Sequence, residues 1–125
     1  MSNIYKHKNF KESLQSAISG LIYTIKTESN ARIILILGLI SLGLSIWLKL
    51  SLAESAIIII TIALVFICET FNTLIEDIMD LLKKEYDPRI KVLKDMASAS
   101  VLLSSIASLG IGAFIFLPKI IELFR

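Results

Sequence analysis

The sequence predicts an all-α membrane protein in which an amphipathic helix on the membrane surface precedes three transmembrane helices. The chain has 125 residues, and 55% of them are hydrophobic. A soluble domain of this size has too little interior to bury so much apolar surface. The hydrophobic residues also form three stretches, each close to the roughly 20 residues that a helix needs to cross the hydrocarbon core. We expect a single domain over residues 1–125.

The three predicted spans cover residues 31–50, 55–82 and 96–118. The middle of the first span and the whole of the third contain no charged residue. The second is apolar as far as Cys68 and then carries spaced acids. It reaches span length only if its part from Glu69 onward lies in the membrane or at its inner edge. Asp87 and Pro88 form a turn signal between the second and third spans.

Residues 9–27 have the periodicity of an amphipathic helix. Their apolar side chains recur at spacings of three and four, at Phe10, Leu14, Ile18, Leu21 and Ile25. Such a helix is suited to lie in the cytoplasmic interface of the membrane. A helix that packs only against its own protein has the same pattern. Ser29 and Asn30 are expected to separate this helix from the first span and to cap that span.

The distribution of basic residues predicts the topology. The residues before the first span include Lys6, Lys8, Lys11, Lys26 and Arg32. Those between the second and third spans include Lys83, Lys84, Arg89, Lys91 and Lys94, whereas the first loop has only Lys49. Basic flanks mark the cytoplasmic side, so the amino terminus and the second loop are expected there. The polar amino terminus is not followed at once by an apolar core, so we expect no cleaved signal peptide.

The composition excludes two classes of protein. A net charge of +2 is too small to indicate a nucleic-acid binder. The single cysteine, Cys68, rules out an intramolecular disulfide. Because it lies in an apolar run, we expect an inert buried thiol.

A row of acids and amides that continues the second span is the most informative feature of the sequence. With about 100° per residue, four side chains fall within about 80° of helix arc, at Glu69, Asn72, Glu76 and Asp80. Asp77 lies at the margin of this stripe. An ionised carboxylate at membrane depth is costly unless a cation or water accompanies it. A solvated cytoplasmic face explains Asp80 easily, but it explains Glu69 and Asn72 poorly, because both directly follow the apolar run.

Such a stripe suits phosphate chemistry. Carboxylates are ligands that Mg²⁺ prefers, and Mg²⁺ in proteins usually also holds substrate phosphates. Phosphoryl transfer needs a basic side chain near the phosphates and a base for the attacking hydroxyl. Lys94 and Asp95 precede the third span and Glu28 precedes the first, so all three helices bring polar groups to one plane. The sequence has no Gly-rich phosphate loop, so any kinase here is of an unrelated construction.

The third span carries a stripe of small residues that recurs every four residues, at Ser100, Ser104, Ser108 and Gly112. Small residues let helix backbones approach closely in lipid. Three spans also enclose a charged site poorly. We therefore expect the chain to form an oligomer.

Residues 69–80, ETFNTLIEDIMD, and residues 94–101, KDMASASV, resemble the signature of the prokaryotic diacylglycerol kinase and undecaprenol kinase family. The family pattern is Glu-x-x-Asn-Ser/Thr-x-Ile/Val-Glu with a further Asp, and then Lys-Asp followed by small residues. The resemblance covers nearly the whole chain. It implies an integral homotrimer in a bacterial plasma membrane, with active sites near the cytoplasmic face that neighbouring subunits share. It also implies transfer of phosphate from ATP, with Mg²⁺, to a membrane lipid alcohol.

The resemblance further implies roles for individual residues. Glu69 would be the general base on the lipid hydroxyl, and Glu28 and Glu76 would hold Mg²⁺ with ATP. The nucleotide and phosphate region would be lined by Asn72, Glu76, Asp80, Lys94, Asp95 and Glu28. Four residues depart from those usual in the family, and they affect local packing and adenine contacts: Ile18, Leu74, Ser98 and Ser100.

The acceptor lipid is less sharply indicated than the reaction. The tail FIFLPKI, residues 114–120, resembles the branch that acts mainly on undecaprenol, which makes undecaprenol the favoured acceptor and diacylglycerol the alternative. Two other classes fit part of the sequence, a small ion-coupled transporter and an assembly subunit without chemistry. A transporter needs acids near the bilayer midplane, whereas the outer two-thirds of each predicted span lacks them.

Overall fold

The structure, a computed structural model, describes residues 5, 6 and 9–125, so that Lys8 lies outside the described residues. It contains four helices, α1 (Phe10–Thr27), α2 (Ser29–Trp47), α3 (Leu52–Leu82) and α4 (Pro88–Leu123), and the described chain has no strand. The helices α2, α3 and α4 are each long and apolar enough to cross a membrane. The architecture is therefore all-α with three candidate spans, as the sequence predicts.

All three spanning helices begin earlier than the predicted spans, α2 at Ser29 rather than at residue 31, and capping side chains precede the other two. Ser51 Oγ accepts a hydrogen bond from Glu54 N at 3.1 Å, and Ser51 N donates one to Glu54 Oε2 at 3.0 Å. This capping box starts α3 at Leu52 rather than at residue 55, and its S-x-x-E pattern is legible in the sequence. Asp87 caps α4, which begins at Pro88 rather than at residue 96.

The ends of α2 and α4 also differ from the predicted spans. Helix α4 continues through Pro118, the predicted end of the third span, as far as Leu123. Helix α2 ends at Trp47 rather than at residue 50. Beyond it, Lys49 has a positive φ of 55°. This is the left-handed conformation that often ends a helix and that glycine usually adopts.

Glu28 separates α1 from α2. Its backbone is extended, with φ −109° and ψ 118°, and Ser29 and Asn30 already belong to α2. The prediction that Ser29 and Asn30 break the helix and cap the span is therefore wrong. The Glu28 side chain makes no capping hydrogen bond to α2, so its carboxylate is not committed to the helix terminus.

Arg32 fixes the corner between α1 and α2. Its Nη1 donates hydrogen bonds of 2.9 Å to the carbonyl oxygens of Ile25 and Lys26. The last carbonyls of a helix have no partner within the helix, so Arg32 satisfies two of those of α1. These hydrogen bonds link the first turn of α2 to the end of α1, on either side of Glu28.

Helix α3 is the central element. It packs most extensively against α4 and next against α2, while α1 contacts α2. Among the described residues, the buried apolar side chains are few and mostly small, at Ala31, Ile58, Val65 and Ala97. Most large apolar side chains on the spans are exposed, as expected for a surface that contacts lipid rather than water.

The α3–α4 loop is held by Asp87. Its carboxylate accepts hydrogen bonds from the backbone N–H of Arg89 at 2.9 Å, from Arg89 Nη2 at 2.9 Å and from Lys83 Nζ at 3.1 Å. These contacts with Arg89, and then with Lys83, hold the pKa of Asp87 below its usual range. The stabilisation is present at neutral pH and is lost as the pH falls through the depressed pKa of the folded state.

Helices α2 and α3 approach each other closely at Gly38, where a Cβ atom would lie 2.8 Å from Cγ2 of Ile62. We predict that Gly38→Ala lowers the melting temperature in detergent, because overpacking of this kind costs about 1–3 kcal/mol. Gly43→Ala is the matched control on the same helix, since an added Cβ meets nothing within 4 Å there. Equal melting temperatures for the two variants would contradict the close contact.

Candidate functional site

The acid stripe of α3 becomes progressively more exposed along the helix. Glu69 is 1% exposed, and Asn72 and Thr73 are also buried. Glu76 is half-buried, and Asp80 is 66% exposed. The stripe therefore runs from the protein interior to the surface, and a fully solvated helix face does not describe its first half.

The corner between α1 and α2 brings a second acid to this stripe. Glu28 and Glu76 both lie close enough to Glu69 for charge–charge repulsion, and the Asn30 side chain also interacts with the Glu69 carboxyl. Helix α3 contributes two of these carboxylates and the corner contributes the third. Residues more than 40 positions apart in the sequence thus meet at one place.

Helix α4 closes the site through polar contacts with α3. Ser98 Oγ lies 3.4 Å from Asn72 Oδ1, and Asn72 Nδ2 lies 3.4 Å from Glu76 Oε1. Lys94 Nζ donates a hydrogen bond of 2.6 Å to Asp80 Oδ1. The structure therefore brings Lys94 to the exposed end of the stripe, as its position before the third span suggests.

Asp95 has a different environment from Lys94. It is 63% exposed, and its carboxylate pairs with Lys91 Nζ at 2.7 Å on the same helix. With about 100° between successive residues, Asp95 points well away from the direction in which Lys94 reaches α3. The described contact of Asp95 is therefore to its own helix and not to α3.

The site concentrates negative charge that its own side chains do not neutralise. The Oε2 atom of Glu69 is buried and has no hydrogen-bond partner within the described part of the chain. Buried carboxylates need a partner cation or several hydrogen bonds. Lys94, the cation nearest along α4, is already paired with Asp80. The arrangement therefore favours a further bound cation.

The chemistry of these side chains is that of magnesium ligands, because carboxylate oxygens are what Mg²⁺ prefers. Among the described residues, no group of three or more His, Cys, Asp or Glu side chains is arranged to hold a metal ion unaided. Mg²⁺ usually needs only one or two carboxylates, with water and substrate phosphates as the other ligands. Glu28 and Glu76, both half-buried, meet that smaller requirement.

Three polar residues at this site are missing from the sequence-based set. Asn30 faces Glu69, Ser98 contacts Asn72, and Thr73 is 5% exposed with an unpartnered hydroxyl. Thr73 lies beside the stripe in the helical projection, so periodicity gives a signal for it. Asn30 and Ser98 have no comparable signal, because their role depends on how α2 and α4 are rotated against α3.

An apolar groove of 670 Å³ leads to this polar plane. It lies between α2 and α4, with α3 as its floor, and Asn30 lines it. The rest of its lining is apolar or small and includes Leu37, Ile62, Val101 and Phe116. Asn30 also interacts with the Glu69 carboxyl. The end of the groove at Asn30 therefore lies beside the acid cluster.

Comparisons with known proteins identify the family. The family model described as "Prokaryotic diacylglycerol kinase" matches residues 15–116. A protein of Synechocystis sp. named "Diacylglycerol kinase" is 32% identical over 116 residues, which cover 92% of this chain and 66% of that protein. A Bacillus subtilis protein named "Undecaprenol kinase" is 33% identical over 118 residues, which cover 91% of this chain and 96% of that protein.

These matches include the acid stripe, Lys94 and the apolar groove, and they confirm the resemblance seen in the sequence. The chain belongs to the prokaryotic diacylglycerol kinase family of membrane lipid kinases.

Proposed function

We propose that the protein transfers the γ-phosphoryl group of ATP to a membrane lipid alcohol, with undecaprenol as the acceptor. The observation that carries this proposal is the position of Glu69. Its buried carboxyl interacts with Asn30, the residue that lines the polar end of the apolar groove. A lipid chain in the groove would bring its terminal hydroxyl toward the Glu69 carboxylate, which can accept a proton.

The proposed reaction uses each part of the site once. Glu69 takes the proton of the lipid hydroxyl, whose oxygen attacks the γ-phosphorus of ATP. The bond from that phosphorus to the bridging oxygen breaks, and its electron pair leaves with ADP. Asn72, Asp80 and Lys94 line the nucleotide and phosphate region, and Lys94 offers positive charge to the phosphates. Asp95, which points away from these side chains, has no step in this reaction. A base held within reach of the attacking hydroxyl contributes about 10²–10⁴-fold to the rate.

Magnesium would be held with the nucleotide by Glu28 and Glu76. When bound, it neutralises charge on the phosphate oxygens. The two glutamates come from different elements, the α1–α2 corner and α3, so the ion's site forms only when the corner is folded. The hydrogen bonds of Arg32 to the end of α1 support that corner.

Undecaprenol is favoured over diacylglycerol by two observations. The relative named undecaprenol kinase is matched over 96% of its length, whereas the one named diacylglycerol kinase is matched over 66%. The spans also form one continuous groove, which suits the single chain of a polyprenol better than the two chains of diacylglycerol. Diacylglycerol remains the alternative acceptor because the family contains both activities by name.

We further propose the membrane placement that the sequence predicts, with the amino terminus and the site at the cytoplasmic face. The apolar side chains of α1 support a surface position for this helix. Phe10, Leu14, Ile18 and Leu21 are all exposed and would be covered by the membrane interface. The open site supports assembly as a homotrimer with shared sites.

The first test is a comparison of the two acceptors. Purified protein in detergent is given labelled ATP with undecaprenol or with diacylglycerol, each with and without Mg²⁺. We expect Mg²⁺-dependent transfer that is faster to undecaprenol. Faster transfer to diacylglycerol would reverse the choice of acceptor, and no transfer to either by a folded protein would contradict the proposed reaction.

The proton acceptor is tested with Glu69→Gln, which keeps the size of the side chain and removes its basicity. We predict that this variant folds and binds ATP but loses about 10²–10⁴-fold in kcat. Asp77→Asn is the matched control, since Asp77 lies on α3 and is exposed. Substantial turnover by Glu69→Gln would remove Glu69 from the role of base.

The metal ligands are tested by titrating Mg²⁺ against activity. We expect Glu28→Ala and Glu76→Ala to raise the Mg²⁺ concentration for half-maximal rate by at least about tenfold, the lower end of what even an outer-shell partner contributes. Glu85→Ala, in the exposed α3–α4 loop, should leave the titration unchanged. A wild-type Mg²⁺ requirement in Glu28→Ala or Glu76→Ala would refute that residue's assignment.

A further inference from the structure

Thr73 differs from every other threonine of this chain in what its hydroxyl contacts. In four threonines the hydroxyl donates a hydrogen bond of 2.7–3.0 Å to the carbonyl oxygen four residues earlier, at Thr24, Thr27, Thr61 and Thr70. The Thr73 hydroxyl is buried and has no hydrogen-bond partner in the part of the chain that the structure describes. Its rotamer therefore turns the hydroxyl away from its own backbone.

Thr73 lies about one helical turn from the proposed base, on the same buried face of α3. Residues four apart on a helix share a face, and helical side chains lean toward the amino-terminal turn. Thr73 therefore leans toward the turn that carries Glu69. Both side chains are buried, and the unpartnered atoms are Thr73 Oγ1 and Glu69 Oε2. A donor and an acceptor that both lack partners thus occupy adjacent turns of one buried face.

One water molecule between these atoms would satisfy both. A buried water needs a polar site with two to four partners, and water-mediated hydrogen bonds hold side chains nearly as well as direct ones. Thr73 Oγ1 and Glu69 Oε2 supply two partners, and Asn30 lies beside the same carboxyl. A hydroxyl bound to its own helix, as in Thr70, offers no such donor to the site.

We propose that Thr73 is a positioning residue, whose hydroxyl orients the Glu69 carboxylate through a shared water molecule so that it faces the lipid hydroxyl. This inference rests on the proposed role of Glu69 as base. Orientation of the base affects the chemical step, so the hydroxyl acts on kcat and leaves the binding of ATP and lipid unchanged.

The test compares two variants of Thr73 with a control on the same helix. Thr73→Val keeps the shape and removes the hydroxyl, Thr73→Ser keeps the hydroxyl and removes the methyl group, and Thr70→Val is the control. We expect Thr73→Val to lose about tenfold in kcat with unchanged KM for ATP and lipid, which is a part of what a base contributes. Thr73→Ser and Thr70→Val should remain close to wild type.

A second readout is independent of turnover. The infrared carboxyl band that Glu69→Gln removes identifies the signal of Glu69. We expect this band to shift in Thr73→Val and to stay in place in Thr73→Ser and Thr70→Val. If Thr73→Val does not fold, as judged by its melting temperature, Thr73→Ala takes its place in both measurements.

Three results would overturn the inference: wild-type kcat in Thr73→Val, an equal loss in Thr73→Ser, which indicates packing, or a change confined to KM. Glu69→Gln separates this inference from the proposed function. If Glu69→Gln keeps its turnover, the proposed base is wrong and the role of Thr73 falls with it. If Glu69→Gln is inactive while Thr73→Val is fully active, only the inference about Thr73 is wrong.

Discussion

The burial of the Glu69 carboxyl at the end of an apolar helix is the constraint on which the rest of this structure depends. Removing a carboxylate from water is costly unless partners replace the water, and Glu69 is 1% exposed. Asn30 from α2 interacts favourably with this carboxyl, whereas Glu28 from the α1–α2 corner and Glu76 from α3 add negative charge near it. Spanning a membrane does not by itself require such a cluster of polar groups.

The helices form two zones, an apolar zone along the spans and a polar zone around the acid cluster. Along the spans, apolar side chains face outward, and the close contact of Gly38 with Ile62 holds α2 to α3. In the polar zone, Arg32 hydrogen-bonds to the end of α1, Asp87 holds the α3–α4 loop, and Lys94 pairs with Asp80. Exposed ion pairs contribute little stability individually. These contacts instead link neighbouring elements near the acids, α3 with α4 through Lys94 and Asp80, and α1 with α2 through Arg32.

This arrangement explains how a kinase can work without a Gly-rich phosphate loop. In the proposed mechanism, two carboxylates and a shared cation would take over the binding of the phosphates, and a lysine would supply further positive charge. The proposed acceptor would enter from the membrane through the apolar groove, so that its hydroxyl would meet the base at the boundary between the two zones. The depth of Glu69 would then match the depth of the lipid's hydroxyl.

The sequence by itself determined the features that depend only on local pattern, namely the number of spans and the side chains that share one helix face. Hydropathy gave the number of spans, and helical periodicity placed Glu69, Asn72, Glu76 and Asp80 on one face, since both depend only on local geometry. The capping box at Ser51 was also legible, although the predicted span began after it. Only the tertiary structure decided that Asn30 and Ser98 reach this face and that the Thr73 hydroxyl leaves its own backbone. These facts depend on how the helices are rotated against one another and on side-chain rotamers, which packing sets and local sequence does not.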